Sequence, residues 1–330
     1  MTPTSGGEAP SLRGEDLDPR VREFVTRMGE GWARFPEFAT ASPPEARRIA
    51  EIVRAPWTRG GPVMASVTEH RVPDGAGGVR IRCYDPGPHG MKPAIVYLHG
   101  GGWTIFSLDT HDRLLRELAA RSGSAVVGVD YALSPEAKYP VALDQVCAVL
   151  RHLAAHGRTL GIDPSRVAVA GDSAGGNLSV ASCLRLRAAG APLPSGMALF
   201  YGVFDRRTSP EAAARFGGPG YMLAEGEMEQ FWKNYLTNES EADDPCVSPL
   251  RADLRGLPPA LLVVPACDLL TEQSVEMARR LAAAGVDVRR SVYAGASHSF
   301  LEAVSISPLA DRALADAAAW LRSVLTRGVP

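Results

Sequence analysis

Apolar and polar positions along this 330-residue chain follow two periods. Between Asp16 and Arg54 the apolar side chains recur every three or four positions: Leu17, Val21, Phe24, Val25 and Met28, then Ala46, Ile49, Ala50 and Val53. That spacing predicts two amphipathic helices, the first capped by Asp18 with Pro19 in its first position, the second running from Pro44 to Arg54. From Val67 the period shortens to two. Val67–Val72 and Val79–Tyr84 alternate around Asp74-Gly75-Ala76-Gly77-Gly78, the pattern of an antiparallel hairpin. Ala94–Leu98 is apolar throughout, as a strand covered on both faces must be. Strands are then expected at 125–130, 166–170, 197–203, 260–265 and 288–293, and helices at 110–121, 140–156, 175–189, 272–284 and 308–325. The alternation predicts an α/β fold, a mostly parallel sheet flanked by helices, with functional loops at the carboxyl ends of the strands.

Two stretches break the rhythm. Residues 1–15, rich in Gly, Pro and Glu, read as a disordered lead-in. Asp205 to Leu257 holds no good strand, one helix near 225–236, and an aromatic set of Tyr221, Phe231, Trp232 and Tyr235. An insertion of that length between strands is usually functional, often a lid. The expected organisation is therefore 16–60 as N-terminal cap helices, 61–204 and 258–330 as the core, and 205–257 as a second cap segment.

The centre of the chain is Arg166-Val-Ala-Val-Ala170 followed by Gly171-Asp172-Ser173-Ala174-Gly175-Gly176 and a helical run. Strand, sharp G-x-S-x-G turn and helix are the context of a nucleophile elbow, which leaves Ser173 above the sheet near the positive end of the helix. A lone match of this kind is weak, since serine is common in glycine-rich turns. Three further features stand at strand ends in the order that α/β-hydrolase chemistry needs, Ser, then acid, then His. Strand 260–267 ends at Asp268, and strand 289–293 leads through Ala294-Gly-Ala-Ser297 to His298. Taken singly, Asp268 could cap the next helix and His298 could be an ordinary loop residue. Only seven histidines exist, so one in this slot is informative. Glu272 is the alternative acid, though the helix pattern makes it a surface carboxylate. After strand 94–98 comes His99-Gly100-Gly101-Gly102-Trp103, where glycines let backbone N–H groups approach a carbonyl oxygen. Gly101, Gly102 and Ala174 are the expected oxyanion donors. His99 precedes the elbow, so it is expected to shape the loop by hydrogen bonding.

Composition narrows the function further. With 45% apolar and 22% charged residues the chain can bury a large core, and a net charge of −2 gives no basis for nucleic-acid binding or a basic membrane patch. No apolar run is long enough for a signal peptide or a membrane span, so the expected compartment is the cytoplasm. Cys83, Cys147, Cys183, Cys246 and Cys267 form no C-x-x-C pair and read as buried reduced thiols.

Taken with the elbow, His99-Gly-Gly-Gly-Trp103 and Asp130-Tyr-Ala-Leu-Ser-Pro-Glu136 resemble the hormone-sensitive lipase family of esterases (bacterial family IV). Leu108-Asp-Thr-His-Asp112 and Tyr131–Pro140 are similar to the bacterial acetyl esterases within it. The likeness runs from about Leu17 to the C-terminal helix. It implies a cap over an α/β-hydrolase core, hydrolysis of short-chain acyl esters, Ser173 as nucleophile, His298 as base and Asp268 as orienting acid. Departures are Asp268-Leu269-Leu270 in place of Asp-Pro-Leu, His298-Ser299-Phe300 in place of His-Gly-Phe, and Phe106 where many members carry glycine. The first two leave the triad intact, and Phe106 bears on the acyl pocket.

The expectation is thus a serine carboxylesterase or deacetylase acting on a small acyl ester, with no metal or organic cofactor implied. A deacetylase or acyltransferase tailoring one secondary metabolite would keep the same triad, and negligible turnover of simple acetates would favour it. A silent small-molecule receptor of the same fold would not react with a fluorophosphonate. Trp103, Phe106, Phe204, Tyr221, Phe231 and Trp232 are candidates for the substrate pocket, although each alone is more commonly a packing residue. A helix and the last strand at the sheet edge could support a homodimer.

Overall fold

A strand buried on both faces must send alternate side chains into two separate cores, and the central strands here do so. In the computed structural model, which describes residues 16–88 and 90–326, the strands are β1 (Ser66–Val72), β2 (Val79–Asp85), β3 (Lys92–Leu98), β4 (Ala125–Asp130), β5 (Ile162–Asp172), β6 (Met197–Phe200), β7 (Ala260–Cys267) and β8 (Val288–Ser297). The helices are α1 (Pro19–Ala33), α2 (Pro43–Thr58), α3 (Asp112–Ser122), α4 (Val141–His156), α5 (Ala174–Ala188), α6 (Pro210–Phe216), α7 (Glu225–Tyr235), α8 (Thr271–Ala283) and α9 (Pro308–Thr326). The lead-in predicted for residues 1–15 lies outside the described residues.

The eight strands form one sheet in the order β1-β2-β4-β3-β5-β6-β7-β8. β1 pairs with β2, and β2 with β4, in antiparallel register; every other neighbour is parallel. From β3, Ala94, Val96 and Leu98 enter one core with Val167 and Val169 of β5 and Leu262 and Val264 of β7; helices α4, α5, α7 and α8 cover it. Ile95, Tyr97, Ala168, Ala170, Leu261 and Val263 enter the other, under α1, α2, α3 and α9. Each large aliphatic or aromatic side chain so buried contributes about 1.5–3 kcal/mol.

β5, β7 and β8 run longer than expected, to Ile162–Asp172, Ala260–Cys267 and Val288–Ser297, and four other places differ from the sequence reading. β1 is exposed along its length except at Val72, because it is the edge strand of the sheet. β6 stops at Phe200, short of the expected 203, because Tyr201 turns to φ 40°. α2 continues past Arg54 to Thr58, carrying Trp57 edge-on against Phe24 at 4.7 Å. α6 was not expected; Ser209 caps it by accepting from the Ala212 N–H at 3.0 Å, with Pro210 at the start.

Candidate active site

The elbow is made by close packing of backbone on backbone. β5 ends at Asp172, α5 begins at Ala174, and Ser173 between them is held at φ 54°, ψ −116°, an unfavourable conformation for a residue with a Cβ. A Cβ at Gly175 would collide with the Leu98 carbonyl of the neighbouring strand, so no other residue fits there. The Ser173 N–H donates to the Phe200 carbonyl at 2.9 Å, tying the turn to β6.

The sheet brings the two distant partners to this hydroxyl. His298, just past β8, has Nε2 at 3.0 Å from Ser173 Oγ and Nδ1 at 2.8 Å from Asp268 Oδ2. A carboxylate only accepts, so Nδ1 carries the proton and Nε2 is left to accept from the serine hydroxyl. Asp268, just past β7, is 1% exposed, and its other oxygen accepts the Leu270 N–H at 3.0 Å. The Tyr201 ring stands edge-on to the imidazole at 5.0 Å. Glu272 is exposed in the first turn of α8, and His298 bonds Asp268 instead. A hydroxyl bonded to an imidazole that a buried carboxylate orients is the arrangement that makes serine nucleophilic.

The glycine loop faces the same space. Gly101 (φ 102°) and Gly102 (φ 58°) line the cleft with Ser173 and His298, and their N–H groups donate to no protein acceptor among the described residues. The Phe231 ring lies so close over Gly102 that a Cβ there would enter it. The loop is clamped from below: Asp172 Oδ1 accepts the Gly100 N–H at 2.9 Å and the Tyr97 hydroxyl at 2.8 Å. His99 Nδ1 lies 2.7 Å from the Gly100 carbonyl and can only donate to it, while the His99 ring stacks on Tyr131 at 4.4 Å. Burial, reinforced by the neighbouring His111, pushes the His99 pKa down to about 4.

Several residues of the site carry no local sequence signal. Arg47 of α2 donates from Nε to the Thr104 carbonyl and from Nη2 to the Ser134 carbonyl, both at 2.9 Å, and pairs with Glu136. Beneath the loop lies a buried charge cluster. His111 Nε2 is 3.5 Å from Asp172 and 3.4 Å from Glu302, and Arg54 Nη2 is 2.8 Å from Glu302 Oε1. Burial opposes both charges, but the two carboxylates raise the His111 pKa, and His111, Tyr97 and Arg54 together hold Asp172 near 2. His111, Asp172 and Glu302 have ligand atoms within 4.8 Å of one another, spacing that could hold a metal ion. The Arg54 guanidinium already supplies a positive charge to Glu302, which disfavours a second cation.

Of the aromatic candidates, Phe106 and Phe231 line the cleft. Trp103 is fully buried and stacks on Tyr235 of α7 at 4.2 Å, with Trp232 4.7 Å away, so it packs against α7. Phe204 is also fully buried and lies outside the cleft lining, and Tyr221 packs against Phe216 at 5.3 Å. The remaining walls are Met28 and Trp32 of α1, Arg54 of α2, and Met222, Leu223, Glu227 and Met228 around the start of α7. Glu227 sits at the rim with dense protein around its carboxyl; that burial raises its pKa, against the Ala224 N–H it accepts at 2.9 Å and the nearby His298.

The parallel sheet, the elbow and the strand-end placement define a carboxylic ester hydrolase of the α/β-hydrolase fold. Residues 95–302 match the family model described as alpha/beta hydrolase fold. The chain belongs to that family, and within it to the hormone-sensitive lipase type, bacterial family IV. It is 31% identical to a hyperthermophilic esterase from the archaeon Pyrobaculum calidifontis, over 93% of this chain and 98% of that one, with a TM-score of 0.87. A thermostable esterase from Pseudomonas putida is 32% identical over 94% and 98%, with a TM-score of 0.86. A thermophilic carboxylesterase cloned from a metagenomic library is 36% identical over 87% and 99%, with a TM-score of 0.83. Among the described residues no helix is long and apolar enough to cross a membrane.

Proposed function

We propose that this carboxylesterase hydrolyses esters of short, acetyl-like acyl groups through an acyl-enzyme on Ser173. The observation that carries the reading is the hydrogen-bonded line from Ser173 Oγ to His298 Nε2 at 3.0 Å and from His298 Nδ1 to Asp268 at 2.8 Å, opening onto a cleft. Ser173 Oγ attacks the ester carbonyl as His298 Nε2 takes its proton, and Asp268 holds the tautomer and stabilises the imidazolium. The carbonyl oxygen, now negative, accepts from the N–H groups of Gly101, Gly102 and Ala174; loss of one such donor costs about 10²–10³ in rate. Collapse returns the proton to the leaving alcohol. Water, deprotonated by the same imidazole, attacks the acyl-enzyme and restores the serine.

Cleft shape supports a short acyl group. The space around Ser173 and the glycine loop amounts to about 60 Å³, narrowed by Phe106 and Phe231. Ile105, Glu227 and Phe231 also line a neighbouring cavity of about 550 Å³ between the 36–46 segment and α7, roomy enough for a bulky alcohol. Ser173→Ala should reduce release of p-nitrophenol from the acetate ester to background, and kcat/KM should fall about tenfold or more between butanoate and octanoate. Retained turnover in Ser173→Ala would overturn the mechanism, and a preference for octanoate the substrate class.

A further inference from the structure

The cleft that holds the nucleophile is lined by an arginine that the reaction does not use. Arg54 is 1% exposed and lines the same space as Ser173, His298, Gly101 and Gly102. Its Nε, Nη1 and Nη2 find no hydrogen-bond partner among the described residues, and neither does Glu302 Oε1. The 2.8 Å approach of Arg54 Nη2 to Glu302 Oε1 therefore pairs their charges without the alignment of a hydrogen bond. A guanidinium has five N–H donors, and buried donors are ordinarily satisfied.

Phe106 explains how the donors are directed. Its ring covers the guanidinium face, with the Arg54 Cζ 4.5 Å from the ring centroid. Phe106 itself is held at φ 71°, a left-handed conformation that costs a side-chain-bearing residue energy. With the face stacked, only the N–H edges of the guanidinium remain for a ligand.

The surrounding charges select what that ligand is. Arg54 and the His111 imidazole stand against Asp172 and Glu302, so whether or not the imidazole carries a proton the cluster has no net positive charge left for an anion. A neutral oxygen needs donors and no counter-charge. The alcohol part has the larger cavity, whose lining does not include Arg54, while the confined space around Ser173 is left to the acyl part.

Resting on the esterase reading above, we propose that Arg54 is a specificity-determining residue that donates to a neutral oxygen, a hydroxyl or carbonyl, on the acyl group, so that the preferred substrates are esters of short hydroxy- or oxo-acids. The test compares ethyl 3-hydroxybutanoate and ethyl 3-oxobutanoate with ethyl butanoate in a pH-stat, with 2-hydroxyethyl butanoate and monoethyl succinate as further arms. The expected result is a kcat/KM preference of about tenfold for the oxygenated acyl esters. That ratio should collapse toward one in Arg54→Met and in Arg54→Met/Glu302→Gln, the double variant avoiding an unpaired buried carboxylate. Calorimetric binding of the same esters to Ser173→Ala protein, with and without Arg54→Met, gives the answer without turnover. Equal binding and turnover of oxygenated and plain acyl esters would overturn the inference while leaving the esterase intact. So would a preference for monoethyl succinate, which would mean an anion site, or for 2-hydroxyethyl butanoate, which would put the acceptor on the alcohol. Failure to hydrolyse any of these esters sinks the short-acyl reading alone, and the binding comparison still decides Arg54.

Discussion

At the scale of single residues, the groups beneath the glycine loop govern how the protein responds to acid. His99 is buried without its charge and has a pKa near 4, against about 6.5 for an unfolded histidine. The unfolded chain therefore binds this proton first. The associated stability is complete above pH 6.5 and is lost as pH falls toward 4, by about 3 kcal/mol. His111 acts in the opposite sense: its raised pKa stabilises the folded state below pH 6.5, and that contribution disappears as pH climbs through the raised value. Asp172, held near 2, adds a loss of its own only below about pH 4. His99→Phe keeps a ring against Tyr131 and removes the titration. Between pH 7 and pH 4.5 its urea midpoint should fall less than that of the wild-type protein. Parallel falls in the two proteins would show that His99 is not the acid-sensitive group.

At the scale of elements, α2 acts as a strut for the loops it overlies. Through Arg47 it holds the Thr104 and Ser134 carbonyls, one in the glycine loop and one in the 131–136 segment, with Glu136 as counter-charge. The Arg47 side chain is a quarter exposed, so its ion pair is partly screened, and most of its value lies in the two bonds to carbonyls. Arg47→Ala should lower kcat/KM for p-nitrophenyl acetate about tenfold, mainly through kcat, and lower Tm by a few degrees. Unaltered kinetics would mean that the glycine loop keeps its shape without α2. The elements themselves were mostly legible in the sequence, because β3, β7 and the 166–170 stretch of β5 are runs of apolar residues and helices such as α1 carry a cap and a clear apolar face. α6 escaped notice although Ser209-Pro210 marks its start, since seven residues give too short a run for periodicity to register. The over-long estimate for β6 had another cause: Tyr201 is a good strand residue by type, and only its contact with His298 explains why the chain turns there.

At the scale of the whole molecule, one sheet collects Ser173, Asp268 and His298 from positions up to 125 residues apart. This was readable because each follows a recognisable strand and the chain order is fixed by the fold. The Arg54–Glu302–His111–Asp172 cluster was not. Its members come from α2, the 300–305 turn, the start of α3 and the end of β5, and no spacing in the sequence announces that they meet. The aromatic candidates show the same limit from the other side. Residue type alone could not tell Phe106, which lines the cleft, from Trp103, which stacks beneath α7.

The five cysteines give the molecule a further property. All are free thiols, four of them buried, and burial raises every one of their pKa values, to about 12 at Cys83 and about 11 at Cys147. Thiolate is the form that alkylating agents and peroxide attack, so little of it exists at neutral pH. Native protein at pH 8 should take up less than one equivalent of iodoacetamide with its esterase activity preserved, and five after unfolding in guanidinium. Modification of several thiols in the native state would contradict this. Thiolate chemistry is thereby largely shut out of the working enzyme: reagents that need a free thiolate find little to seize until the sheet itself comes apart.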